Sequence, residues 1–395
     1  MSLLPVVEAQ ARLLALARAL PIEAAGLVAA VGRHAAEDVL ALRVQPAAAL
    51  SAMDGYAIRF AELPGPWTMA GESKAGAGLD RALAPGEAAR IFTGAPLPEG
   101  ADTILVQEDA ARDGAQLRLA GEGPAVAGYH VRAQGSDFAL GDLLVAAGEK
   151  LTAPRIALAA IGGHGTLPVP RRARITIFST GDELVAPGQP VSGVSLPASN
   201  GPMLAAMLAG YPVEVRDGGI VPDRLDALTA AFAAAAPISD IIVTTGGASV
   251  GDHDLVRPAL LAAGASLDFW RVRMRPGKPL MAGVLGDTII LGLPGNPVSA
   301  FATAFLFLLP LVRHLAGDPS PLPVPERLPL AGPLPKVGER TDYLRARITP
   351  EGVLPLVGQD SAGLAMLARA DALIVRAGEA PPAPVGETVD ILRIA

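Results

Sequence analysis

The chain has no cysteine. Disulfides, thiolate metal centres and cysteine nucleophiles are therefore excluded. Histidine is scarce, with five in 395 residues and no two at the spacing of a zinc motif. Lysine is scarcer still: Lys74, Lys150, Lys278 and Lys336 are four of 32 basic residues. The longest apolar run, Ala300 to Val312, is 13 residues and contains Pro310, which is short for a bilayer span. The N-terminus lacks a basic n-region, and Glu8 interrupts it early, unlike a secretory signal. These features predict a cytoplasmic protein with no membrane partner. A net charge of −7 argues against nucleic acid as a partner, yet a local basic cluster can still take an anionic small molecule.

What is present describes a soluble globular chain, 51% hydrophobic and 18% charged, long enough for two to four domains. From Pro5 to about Leu20, apolar residues recur at helical spacing. From Pro46 to about Gly135, short strand-like runs between Gly and Pro turns predict a small all-β domain. Arg171-Arg172 marks a boundary, after which strands and helices alternate. That alternation predicts a doubly wound, largely parallel sheet, with Leu267 to Met274 as one of its strands and a last helix from about Pro297 to Leu315. Seven prolines between Ala316 and Pro335 predict a stiff linker into a final, mostly β piece.

Three turns follow predicted strands of this sheet, where α/β folds receive ligands. The first is Ser179-Thr180-Gly181-Asp182-Glu183, two hydroxyls, a glycine and two carboxylates; an ordinary helix or turn cap would use the same residues. The second runs through Thr244-Thr245-Gly246-Gly247 to Ser249, Asp252 and Asp254, with amides for a phosphate and carboxylates for Mg²⁺. The third, Pro294-Gly295-Asn296-Pro297-Val298-Ser299, caps a helix and aims amides and a dipole at an anion. Between the second and third lies Arg271-Val272-Arg273-Met274-Arg275-Pro276-Gly277-Lys278. Alternation puts its arginines on one face, with no acidic residue between Asp268 and Asp287 to neutralise them. The strand face reads equally as a solvated basic edge, whereas Lys278, fixed between Gly277 and Pro279, points to an anion.

Taken with Ser51-Ala52-Met53-Asp54-Gly55-Tyr56-Ala57 and the segment from Arg90 through Thr93-Gly94 to Glu108, these motifs occur in an order that resembles the molybdopterin molybdenumtransferase (MoeA) family, to which the gephyrin E domain is related. The likeness runs from about Val6 to the C-terminus. It implies a multidomain α/β plus β fold. An elongated domain (1–45 and 135–170) would carry an inserted β-domain (46–134). A doubly wound α/β domain resembling the MogA adenylyltransferase fold (171–316) and a C-terminal β-barrel-like domain (320–395) would follow.

The resemblance also implies a homodimer whose cleft lies between the α/β domain of one subunit and the β-domain of the other. The implied substrates are adenylated molybdopterin and molybdate. The adenylate is hydrolysed with Mg²⁺, AMP leaves, and molybdenum is placed on the dithiolene. Carried over residue by residue, Asp54, Thr93, Glu183, Asp254 and Lys278 would be catalytic. Thr180, Gly181, Asp182, Asn200, Gly246, Gly247, Ser249, Pro294, Gly295 and Asn296 would line the pterin and phosphate site. Lys278, Ser299, Arg345 and Ser361 would hold molybdate. Asp182, Glu183 and Asp252 would ligate Mg²⁺. A MogA-type adenylyltransferase and downstream molybdoenzymes would be partners. Arg275 stands where the family usually has lysine, exchanging a point charge for a planar fork. A non-catalytic molybdopterin scaffold or carrier is the alternative within the same fold.

Overall fold

A computed structural model describes residues 3–247, 255–269 and 271–394. Helix α1 (Val6–Ala15) opens the chain, followed by strand β1 (Ile22–Gly26). The segment 46–134 forms a six-stranded sheet that includes β2 (Gly55–Ile58), β3 (Trp67–Ser73), β4 (Glu87–Ile91) and β5 (Thr103–Val106). Trp67, Ile58, Leu105 and Leu117 fill one face of it with no exposure, a core independent of the rest. The chain then returns through α2 (Ala153–Ile161) and β6 (Thr166–Pro170). β6 pairs antiparallel with β1 and closes a separate small core around Leu151, Leu167 and Val169.

The α/β region contains β7 (Ala173–Thr180), α3 (Asn200–Leu208), β8 (Val213–Val221), α4 (Leu225–Ala235), β9 (Ile241–Thr245) and α5 (Val256–Ala262). After these come β10 (Ser266–Phe269), β11 (Met274–Arg275), β12 (Met281–Leu285) and β13 (Thr288–Leu293). The sheet order is β8-β7-β9-β13-β12-β10. The first four strands are parallel, β12 pairs antiparallel with β13, and β10 pairs antiparallel with β12. The order reverses between β7 and β9, which is where a doubly wound sheet opens its crevice. β9 is buried along its whole length, which is why it reads as a continuous β-branched run.

Two expectations are corrected. Leu267 to Met274 is not one strand: β10 stays in the α/β sheet, while β11 pairs in parallel with the C-terminal strand β14 (Thr341–Thr349). Val272 and Met274 bury against the main core, so the chain crosses over at this point instead of continuing the ladder. The second concerns the apolar run. The helix extends from Pro297 to Leu315, long and apolar enough to cross a membrane, but 78% of that window is buried inside the fold. Burial, not brevity, makes it a core helix. Its middle, Ala304–Leu308, is a π segment, and the Gln10 side chain donates to the Leu306 carbonyl there (2.8 Å). α1 thus contributes Val6, Ala9 and Leu13 to the α/β core.

The C-terminal sheet also contains β15 (Gly352–Pro355), β16 (Ala372–Arg376) and β17 (Thr388–Arg393). Its own core is formed by Leu330, Val353, Ile374 and Ile391, while Tyr343, Leu373 and Leu392 on the other face join the α/β core.

Candidate functional site

The three sheet-edge turns meet. The Gly246 amide donates to the Leu293 carbonyl (3.3 Å), and the Thr180 hydroxyl to the Thr245 carbonyl (3.4 Å). A Cβ on Gly246 would lie 2.4 Å from the Thr180 carbonyl oxygen, so this crossing requires glycine. A Cβ on Gly295 would sit 3.4 Å from the Gly246 Cα. Asn200, at the start of α3, donates its Nδ2 to the Gly295 carbonyl (2.7 Å) and ties the fourth element to the same edge. That bond fixes the amide orientation, and among the described residues the buried Asn200 Oδ1 has no partner. A buried acceptor left open in this way fits a donor on a ligand.

Asp182 and Glu183 are exposed on the first turn. Asp223, just beyond the end of β8, joins them, its amide donating to Asp182 Oδ1 (3.0 Å). Burial raises the Asp223 carboxyl above its ordinary range, and the charges on Asp182 and Glu183 add to this. Asp223 escaped the sequence reading because no motif surrounds it. The signal was positional: it follows the strand next to β7 at the same edge. Among the described residues no group of three or more His, Asp or Glu could hold a metal ion. Mg²⁺ bound to a substrate's phosphates needs only one or two carboxylates, and Asp182 and Glu183 fit that role. Ser249, Asp252 and Asp254, also predicted for this site, lie outside the described residues.

The helix from Pro297 begins where predicted, with Asn296 preceding a first-turn proline. Its N-terminus is not wholly open. The Val298 amide donates to the Ser361 carbonyl (3.1 Å), and Asn296 Nδ2 to Ser361 Oγ (3.1 Å). The C-terminal domain thereby seats Ser361 directly on this turn. Ser299 is buried one residue further on. Gly277 packs against the same helix: a Cβ there would lie 2.6 Å from Thr303 Cγ2, and the Thr303 hydroxyl bonds the Ser299 carbonyl (2.7 Å). Lys278 leaves this turn exposed, and among the described residues its ammonium has no carboxylate partner.

The arginines differ from expectation. Arg275 faces Asp342 at 3.9 Å, an acid remote in sequence that the strand crossover brings near. Burial raises Asp342 even so. Arg273 reaches back to the Leu3 carbonyl (3.5 Å). Arg345, expected to hold molybdate, is 1% exposed and already engaged. Its Nε donates to Gln359 Oε1 (3.3 Å), Nη1 to the Gly363 carbonyl (3.0 Å), and Nη2 to the carbonyls of Gly358 (2.9 Å) and Asp360 (2.8 Å). With four bonds spent on protein acceptors, Arg345 organises the 358–363 turn instead of reaching outward.

Asp54 and Thr93 belong to the 46–134 sheet. Both the amide and the hydroxyl of Thr93 donate to Asp54 Oδ1 (2.8 Å each). These bonds, the amide first, and then the Arg90 charge hold the carboxyl below its usual range. Arg90 is itself anchored on Gly55 and Gln107 and lies over the rings of Tyr56 and Phe92.

The structure defines a multidomain α/β protein whose ligand-facing sheet edge is closed on one side by a C-terminal β-domain. Comparison with known proteins narrows the class. Three family profiles match in succession: the MoeA N-terminal region (domain I and II) over 4–163, the probable molybdopterin binding domain over 176–314, and the MoeA C-terminal region (domain IV) over 327–394. The molybdopterin molybdenumtransferase of Haemophilus influenzae is 34% identical over 291 residues, covering 73% of this chain and 72% of its own length. That of Bacillus subtilis is 30% identical over 375 residues, covering 92% and 87%. The crystal structure of the molybdopterin biosynthesis MoeA protein of Pyrococcus horikosii superposes with a TM-score of 0.86 at 26% identity, over the full length of both chains. The chain belongs to the molybdopterin molybdenumtransferase (MoeA) family, a family of transferases.

Proposed function

We propose that this chain inserts molybdenum into molybdopterin, with adenylated molybdopterin and molybdate as substrates and AMP as the leaving product. The observation that carries this reading is the convergence of three loop turns and Ser361 on one sheet edge, with a lysine that has no carboxylate partner among the described residues and a group of crowded carboxylates. The substrate supplies both thiolates for the metal, which suits a chain without cysteine.

The Gly246-Gly247 turn offers the Gly247 amide to the phosphate of the pterin, the Gly246 amide being given to the Leu293 carbonyl, with Ser249 and Asp254 assigned to the same end. The Asn200 Oδ1 accepts from the substrate. Asp182 and Glu183 would hold Mg²⁺, which when bound neutralises phosphoanhydride charge as AMP departs. Asp223 keeps these two acids crowded and so favours a cation beside them. Lys278, Ser299 and Ser361 hold the molybdate dianion, using a fixed charge, two hydroxyls and the positive end of the long helix. Charge developing on the AMP phosphate is met by groups already oriented by the fold, so little reorganisation is needed.

Asp54 and Thr93 enter from a second copy of the chain. Exposed apolar side chains on the 1–45 and 135–170 segments support that pairing. Leu40 and Leu143, register partners on adjacent strands, are 45% and 55% exposed, and Val28 is 88% exposed. An adenylyltransferase is the class of enzyme that must supply the substrate.

The test is direct. Purified protein receives adenylated molybdopterin, Mg²⁺ and molybdate, and AMP release is followed. Glu183→Ala is expected to slow release on the order of a hundredfold or more. No AMP from the wild type, or undiminished AMP from Glu183→Ala, overturns the proposal. Tight substrate binding without AMP would point to a carrier.

A further inference from the structure

Gln359 makes four side-chain hydrogen bonds at the edge of the proposed molybdate site. Its Oε1 accepts from the Arg345 amide (3.0 Å) and from Arg345 Nε (3.3 Å). Its Nε2 donates to the carbonyls of Arg345 (2.9 Å) and Leu356 (2.8 Å). One carboxamide therefore fixes both the main chain and the guanidinium of Arg345, sharing the rung beyond the last β14–β15 pair, Ala346 with Pro355, with the Leu356 amide, which donates to the Arg345 carbonyl (2.9 Å). Arg345 in turn gathers the carbonyls of Gly358, Asp360 and Gly363. Asp360 tightens the same turn from within, its side chain accepting from the Ala362 amide (2.8 Å). At the apex, Ser361 meets Asn296 and Val298.

We infer that Gln359 is a positioning residue for oxyanion capture: it acts through Arg345 to hold Ser361 on the N-terminal turn of the helix that carries Ser299. The inference rests on the molybdate reading of this site. Glutamine is suited to the position because it can accept from two N–H groups and donate to two carbonyls at once. Glutamate keeps the accepting half and sets a charge against two carbonyl oxygens. Alanine removes all four bonds in a half-buried turn and leaves the Arg345 carbonyl only its bond from the Leu356 amide (2.9 Å).

The experiment measures AMP release by the full-length enzyme while molybdate and adenylated molybdopterin are varied separately. Gln359→Ala is expected to raise the KM for molybdate about tenfold, with the KM for the adenylated pterin and kcat at saturating molybdate within about twofold. Gln359→Glu should give a smaller rise in the same parameter, and it takes the place of the alanine variant should that one fail to fold. In a Ser361→Ala background, Gln359→Ala should add less than about twofold, because the two act through one turn. Equal losses for both substrates, or fully additive effects of the two changes, overturn the inference. If Lys278→Ala and Ser361→Ala also leave the molybdate KM unchanged, the molybdate reading of the site falls with it. If only Gln359 is silent, the site stands and the positioning role does not.

Discussion

The two edges of the α/β sheet handle charge in opposite ways. At the amino edge, Asp240 precedes β9 and is fully matched. Arg171 gives it two hydrogen bonds (2.6 and 2.7 Å), and Arg174 adds two from its side chain (3.1 and 3.4 Å) and one from its amide (2.8 Å). At the carboxyl edge of the same strands, Lys278 has no carboxylate partner among the described residues, Asn200 Oδ1 has no donor, and Asp223 is crowded by two acids. The sheet does not lack the means to pair charge, since it does so thoroughly at the other end of a five-residue strand roughly 17 Å long. Charge left unmatched at that edge among the described residues supports the proposal that a ligand binds there.

Three substitutions sharpen this contrast, in descending order of expected effect. Lys278→Ala should raise the molybdate requirement roughly 10- to 100-fold, the range expected for losing a charge-assisted contact, with pterin affinity little changed. Varying molybdate at fixed pterin checks it, and equal loss of both would move Lys278 out of the oxyanion site.

Asp240→Asn should cost stability instead, about 2 kcal/mol by urea unfolding at pH 7, while the folded fraction keeps its turnover. Burial pushes the Asp240 carboxyl up, but the hydrogen bonds from Arg171 and Arg174 together outweigh it and hold it well below its ordinary range. A carboxyl depressed in the folded state stabilises fully above its unfolded pKa of about 3.9 and loses that contribution as pH falls through the folded value. The gap between wild type and Asp240→Asn should therefore persist from pH 7 to about pH 5 and close only in stronger acid. A gap already closed at pH 5 would contradict the pairing.

Arg81→Ala tests the other limit. Arg81 binds Glu87 through two hydrogen bonds (2.7 and 3.0 Å) on an exposed face of the inserted β-domain. It should change neither the melting temperature by more than a degree or two nor AMP release, as solvent-exposed pairs do little.

Much of this was legible in the sequence, for a physical reason. Turns at strand ends carry their chemistry in contiguous residues, so Gly181-Asp182-Glu183, Gly246-Gly247 and Gly295-Asn296 could be read before any contact was known. The sheet order could not be read, but the alternation that builds it could. What stayed hidden were the relations between distant segments. Asp342 neutralises Arg275 only because the chain crosses between sheets. Arg345 had the right charge for an anion, and nothing local showed that Gln359 and three carbonyls already claim it. The apolar run at 300–312 was read by length, whereas its fate is decided by what packs around it.

The crossover strand β11 bears on how such a protein can be divided. It lies in the α/β stretch of the gene, but its ladder partner, Thr341-Asp342, lies beyond the proline-rich linker. Lys278 follows β11 by three residues, and Ser361 is carried by the C-terminal sheet. A cut at the linker would strip β11 of its neighbour and free both molybdate-side groups together, leaving the phosphate-side turns untouched. The α/β segment is consequently a poor unit of exchange. A recombinant that inherits it without its own C-terminal sheet keeps half of the proposed binding site, and the lost half is the one proposed to take the metal oxyanion.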